Sequence, residues 1–98
     1  MKILQSAVAG TMESSDVMVT VRPNPGKGIQ IELKSVVLSM FGDQIRATVE
    51  EVFASFGVED AIVELVDKGA IDCVIRARTQ AVICRATGTK YNWEGEDK

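Results

Sequence analysis

The chain has 98 residues, 46% of them apolar and 26% charged, with 11 Lys+Arg against 14 Asp+Glu and a net charge of −3. This length fits one domain with a thin core, because a chain this short buries only roughly 60–65% of its unfolded surface. It contains no histidine, which removes the commonest general base, the usual nucleophile–base pair and imidazole-ligated zinc, and its acidic balance gives no basic surplus for nucleic acid or anionic lipid, so neither DNA nor membrane is an expected partner.

In the opening Met1 to Gly10, Gln5 and Ser6 interrupt the apolar residues before they make a secretory h-region, and no segment approaches the roughly 20 apolar residues that span a bilayer. A cytoplasmic protein with reduced thiols is expected. Small residues from Ser6 to Thr11 suit a first strand. Asp16 to Arg22 gives the clearest strand, with Val17, Val19 and Val21 alternating with Met18, Thr20 and Arg22. Between them Glu13, Ser14, Ser15 and Asp16 carry turn chemistry, predicting a hairpin with serines at its tip. Pro23-Asn24-Pro25-Gly26-Lys27-Gly28 stops the second strand. Ile29, Ile31 and Leu33 then alternate with Gln30, Glu32 and Lys34, so residues 29–34 are expected to return antiparallel as a third, meandering strand.

Phe41, Ile45, Val49, Val52, Phe53 and Phe56 recur at helical intervals, with Gly57 placed as a C′ residue. They predict an amphipathic helix covering the sheet. Ala61, Val63 and Leu65 alternate before Asp67-Lys68-Gly69, predicting a fourth strand parallel to the third through a right-handed crossover. From about Ala70 to Ala86, Ile71, Val74, Ile75, Val82, Ile83 and Ala86 keep helical spacing, with Asp72 near the N-terminus and Gly88 past the end. The expected architecture is α+β, in the order β-β-β-α-β-α, a mostly antiparallel four-stranded sheet with two helices on one face. It spans residues 1–88; residues 89–98 form a tail expected to be flexible, in which Tyr91 and Trp93 either fold back on the domain or dock on a partner.

Chemistry has few candidates. Cys73 and Cys84 make neither a zinc knuckle nor a redox pair and read as semi-buried structural residues. Asp67, Lys68, Asp72, Arg76 and Arg78 cluster around the second helix, where Asp72 and Arg76 have the spacing of an i,i+4 ion pair; nothing brings Asp67 and Asp72 together as an acid/base pair. Gly26-Lys27-Gly28 is too short for a phosphate loop and precedes a strand. Ser14 and Ser15 have no base to activate them, so they either satisfy turn backbone or offer an exposed hydroxyl for modification by another enzyme.

The stretch from Ala7 to Met18 (AVAGTMESSDVM) resembles the N-terminal signature of the citrate lyase acyl carrier family, the gamma subunits of that complex. Asp67 to Arg78 (DKGAIDCVIRAR) is similar to the segment entering that family's last helix, and Phe41 to Arg46 (FGDQIR) adds a weaker match; together they run in family order over about residues 3–88. The resemblance implies a carrier with no catalytic residues of its own. It implies that Ser14 carries a phosphodiester-linked 2′-(5″-phosphoribosyl)-3′-dephospho-coenzyme A, while Ser15 stands where the family accepts serine or glycine. It further implies partners: an alpha subunit that exchanges acetyl for citryl, a beta subunit that cleaves the citryl thioester to oxaloacetate and acetyl thioester, a prosthetic-group transferase, and an acetate-activating ligase. A tethered thioester gains effective concentration at each active site. Two alternatives stand beside this: an α+β ligand-binding or protein-interaction module without a prosthetic group, and a thiol enzyme using Cys73 activated by the helix N-terminus or Lys68.

Overall fold

A computed structural model describes residues 1–88, arranged as β1 (Ala7–Gly10), β2 (Val17–Arg22), β3 (Ile29–Ser35), α1 (Leu38–Ser55), β4 (Ala61–Asp67) and α2 (Asp72–Thr87). The expected β-β-β-α-β-α order is present. The tail with Tyr91 and Trp93 lies outside the described residues. On β2 the alternation works as the sequence implied: Val17, Val19 and Val21 are fully buried, while Met18 and Thr20 are half-buried on the opposite face. Across the ladder these valines oppose Asp67, Leu65 and Val63 of β4. The buried face joins Ile45, Val49, Val52 and Phe53 of α1 and Ile75, Val82, Ile83 and Ala86 of α2 in one core. Both helices thus lie on the same side of the sheet.

The strand order corrects one expectation. The four-stranded sheet runs β1-β2-β4-β3, so β3 does not return beside β2; β4 lies between them, antiparallel to β2 and parallel to β3. Composition explains the arrangement. Every other residue of β4 is buried, whereas β3 buries only Leu33 and exposes Gln30, Glu32 and Lys34, so the more apolar strand takes the interior and the more polar one the edge. Arg46 of α1 donates to the carbonyl of Ile31 at 3.0 Å, supplying a partner to this edge strand. The parallel β3–β4 pair is joined through α1, as a parallel connection requires.

Helix ends follow the glycines. Gly57 after α1 and Gly88 after α2 take φ of 69° and 75°, left-handed values that a residue without Cβ adopts cheaply. Two apolar residues assigned to the core by spacing fall outside it: Phe41 is 45% and Ile71 66% exposed. Phe41 sits in the first turn of α1 and Ile71 is the N-cap of α2. There they flank a cleft of about 320 Å³ between the helices' N-terminal ends, lined also by Val37, Ile45, Thr48 and Ile75. Among the described residues no helix is long and apolar enough to cross a membrane.

Candidate functional site

The loop between β1 and β2, residues 11–16, is the predicted hairpin, and its tip is a defined turn. The amide of Asp16 donates to the carbonyl of Glu13 at 3.1 Å, placing Ser14 and Ser15 at the two central positions. Ser15 has φ 67°, the only positive value among the described non-glycine residues. A turn that needs positive φ at its second central residue favours glycine there. This supplies a physical reason for the serine-or-glycine alternation implied at position 15. Ser14 and Ser15 are both exposed, and among the described residues no hydrogen bond engages the Ser14 hydroxyl.

Beneath the tip, the loop is tied down from three directions. The amide of Ser15 donates to the carbonyl of Lys68 at 2.8 Å and that of Lys68 to the carbonyl of Asp16 at 2.9 Å, prolonging the β2–β4 pairing past the end of both strands. The Asp16 carboxylate accepts four bonds: Oδ1 from the Val17 amide at 2.7 Å and Arg78 Nε at 3.1 Å, and Oδ2 from Thr11 Oγ1 at 2.7 Å and Arg78 Nη2 at 2.8 Å. These partners, Arg78 first and then Thr11 and the Val17 amide, hold the Asp16 carboxyl well below the usual carboxylate range. Thr11 Oγ1 in turn accepts from the Glu13 amide at 3.2 Å. Gly10 completes the base: its φ is 93°, and a Cβ there would stand 1.8 Å from the carbonyl oxygen of Val17 and 3.3 Å from Cδ of Arg78.

The charged residues named from sequence divide into separate tasks. Asp67 is buried, accepting from Ser35 Oγ at 2.7 Å and from the Ala70 amide at 3.0 Å, and so fixes the turn that leads into α2. Asp72 forms the expected i,i+4 pair with Arg76 at 2.8 Å; Arg76 also reaches Glu51 at 2.7 Å and Asp72 accepts from Thr48 at 2.7 Å, linking the two helices. Arg76 and Thr48 lower the Asp72 pKa. Asp67 and Asp72 thus have different partners. Arg78 is the residue whose role the sequence did not show, since its partner is 62 positions away. Of the cysteines, both free, Cys73 is exposed rather than semi-buried because it lies in the first turn of α2; Cys84 is partly buried, and desolvation raises its pKa. Among the described residues no group of three or more Cys, Asp or Glu is placed to hold a metal ion.

Ser14 thus presents an exposed hydroxyl at the summit of a turn that backbone and side-chain hydrogen bonds hold in place. Comparison with known proteins identifies the family. The family described as malonate decarboxylase delta subunit (MdcD) matches residues 4–86. The chain is 53% identical to the citrate lyase acyl carrier protein of Streptococcus equi subsp. zooepidemicus strain H70, over 99% of this chain and 96% of that one. It is 52% identical to the protein of the same name from Haemophilus influenzae strain PittGG, over 96% and 97% of the two chains. A chain of the Pseudomonas malonate decarboxylase hetero-tetramer, crystallised with malonate, shares the fold with a TM-score of 0.71 at 19% identity, covering 88% of each chain. The chain belongs to this family of citrate lyase acyl carrier proteins and malonate decarboxylase delta subunits.

Proposed function

We propose that this protein is the acyl carrier (gamma) subunit of a cytoplasmic citrate lyase, and that its prosthetic group, 2′-(5″-phosphoribosyl)-3′-dephospho-coenzyme A, is attached through a phosphodiester to Ser14. The partners are then the alpha and beta catalytic subunits, the transferase that attaches the group and the ligase that acetylates it. One observation carries the assignment: Ser14 is exposed at the summit of a hydrogen-bonded turn, and no described residue occupies its hydroxyl. That geometry fits a covalent attachment, since a transferase can reach the oxygen from outside without opening the core.

When bound, the group supplies a thiol on which acetyl and citryl are held as thioesters while citrate is cleaved to acetate and oxaloacetate. The chain's own residues do simpler work. Ser14 provides the oxygen of attachment, the turn around it holds that oxygen clear of the domain, and Asp16 with Lys68 secures the turn to the scaffold. Without histidine, the carrier offers no imidazole as a competing base beside the thioester.

Ser14→Ala in the assembled lyase is expected to abolish citrate cleavage and leave the subunit folded and bound, with Ser15→Ala remaining active. The reading of a ligand-binding module without a prosthetic group has one observation in its favour, the apolar cleft beside Phe41 and Ile71. Full activity of the Ser14→Ala complex would select it.

A further inference from the structure

We propose that Arg78 is a positioning residue for modification of Ser14: its guanidinium, held in the middle of α2, grips Asp16 and thereby fixes the turn that presents the Ser14 hydroxyl. This rests on the reading of Ser14 as the attachment point. The hairpin tip stands outside the core: residues 11–15 are exposed and lie beyond Gly10↔Met18, the last pair of the β1–β2 ladder. One carboxylate joins its two legs. Asp16 Oδ2 accepts from Thr11 on the first leg, Oδ1 accepts from the Val17 amide on the second, and the Arg78 fork engages both oxygens at 3.1 and 2.8 Å. Thr11 passes the constraint on to the Glu13 amide, and the Asp16 amide closes the turn on the Glu13 carbonyl. The rigid element behind this chain of bonds is α2, anchored by Ile75, Thr79, Val82 and Ile83.

The Arg78 side chain is 41% exposed and its partner Asp16 14%, and α2 buries its core residues without Arg78. Beyond the modest stability that such a partly exposed pair contributes, a planar two-oxygen fork contributes geometry. In the modification itself, Ser14 Oγ forms a bond to the phosphorus of an activated phosphoanhydride donor, the bond from that phosphorus to the phosphate leaving group breaks, and the hydroxyl proton passes to a base of the transferase. Arg78 touches none of these atoms. It acts on the fraction of molecules in which the turn is already formed, and a lower competent fraction raises the apparent KM in proportion.

The test is a time course of adduct formation on the full chain by intact mass, with the transferase and its donor, at several carrier concentrations. Arg78→Ala is expected to raise KM about tenfold with kcat nearly unchanged, and Arg78→Lys, which keeps the charge but loses the fork, to fall between the two. Amide exchange at Glu13 and Asp16 should accelerate in Arg78→Ala while core amides of β2 and β4 stay protected. Should Arg78→Ala not fold, Thr11→Val loosens the same clasp from the exposed side and is expected to raise KM by two- to fivefold. Parental KM in these variants, with Ser14 modified normally, overturns the positioning role alone; a parent chain that never accepts the group at Ser14 overturns the attachment reading on which it rests.

Discussion

The loops at the two ends of β2 have the same length, six residues, but are built from different residues and held in different ways. The loop at residues 23–28 is fastened without a charged donor: within it the buried Asn24 donates through Nδ2 to the Gly28 carbonyl at 3.0 Å, and the Lys27 amide donates to the Asn24 carbonyl at 3.1 Å. Its two longer ties also have backbone amides as donors, the Gly28 amide to Asp60 Oδ1 at 2.8 Å and the Ala61 amide to the Gly28 carbonyl at 3.0 Å. The loop at residues 11–16 depends on a charged pair reaching across to a helix, and it places a serine where the other loop uses glycines, at positive φ. A connecting turn needs only to reverse the chain. The tip that displays Ser14 is held in one shape by distant parts of the fold.

Glycine substitution separates the two loops most sharply. Gly10→Ala is expected to cost about 2–4 kcal/mol, because strain at its positive φ adds to a direct clash with the Val17 carbonyl. Gly26→Ala, where φ is 73° but nothing lies within 4 Å, should cost only about 1 kcal/mol. Denaturant unfolding of both variants checks the difference. Asn24→Ala should cost about 1–2 kcal/mol, since it strips a buried hydrogen-bond donor from the connecting loop, and should leave the rate of Ser14 modification as in the parent. Ser15→Gly works in the opposite direction. Relief of the left-handed strain is expected to outweigh the added chain entropy and raise stability by about 0.5–1 kcal/mol, read as a shift in the urea midpoint.

The smallest expected effect is a dependence on acid. Asp16 in the folded chain titrates below the ordinary carboxylate range because Arg78, Thr11 and the Val17 amide favour its charged form. Its contribution is therefore fully present above the unfolded value of ~4 and is lost as pH falls below that toward the folded value. The stability difference between the parent and Asp16→Asn should be constant from pH 7 to about 5 and shrink below pH ~4. A difference that stays constant down to pH 3 would contradict the ion pair's place in the clasp.

These contrasts also mark what the sequence made legible. Alternation on β2 and β4 and the spacing on α1 depend on neighbours within a few residues, so the elements and most of the core could be read directly. The exchange of β3 and β4 could not, because both strands alternate and only their relative polarity decides which becomes the edge. Phe41 and Ile71 kept helical spacing yet lie at helix N-termini, where periodicity no longer specifies burial. At the site, turn residues around Ser14 predicted serines at a hairpin tip, either satisfying turn backbone or offering an exposed hydroxyl, and the resemblance extended to a second stretch, Asp67 to Arg78. That this stretch serves the first one, with the Lys68 backbone and the Arg78 fork meeting Ser15 and Asp16, follows only from the fold that brings α2 beneath the hairpin.

Peptide mapping by mass spectrometry of the subunit purified from a citrate-cleaving complex decides whether Ser14 carries the group. A phosphoribosyl-dephospho-coenzyme A adduct is predicted on the peptide containing Ser14, with Ser15 in the same peptide unmodified. A fully active complex whose peptide carries no mass beyond that of its residues would contradict it.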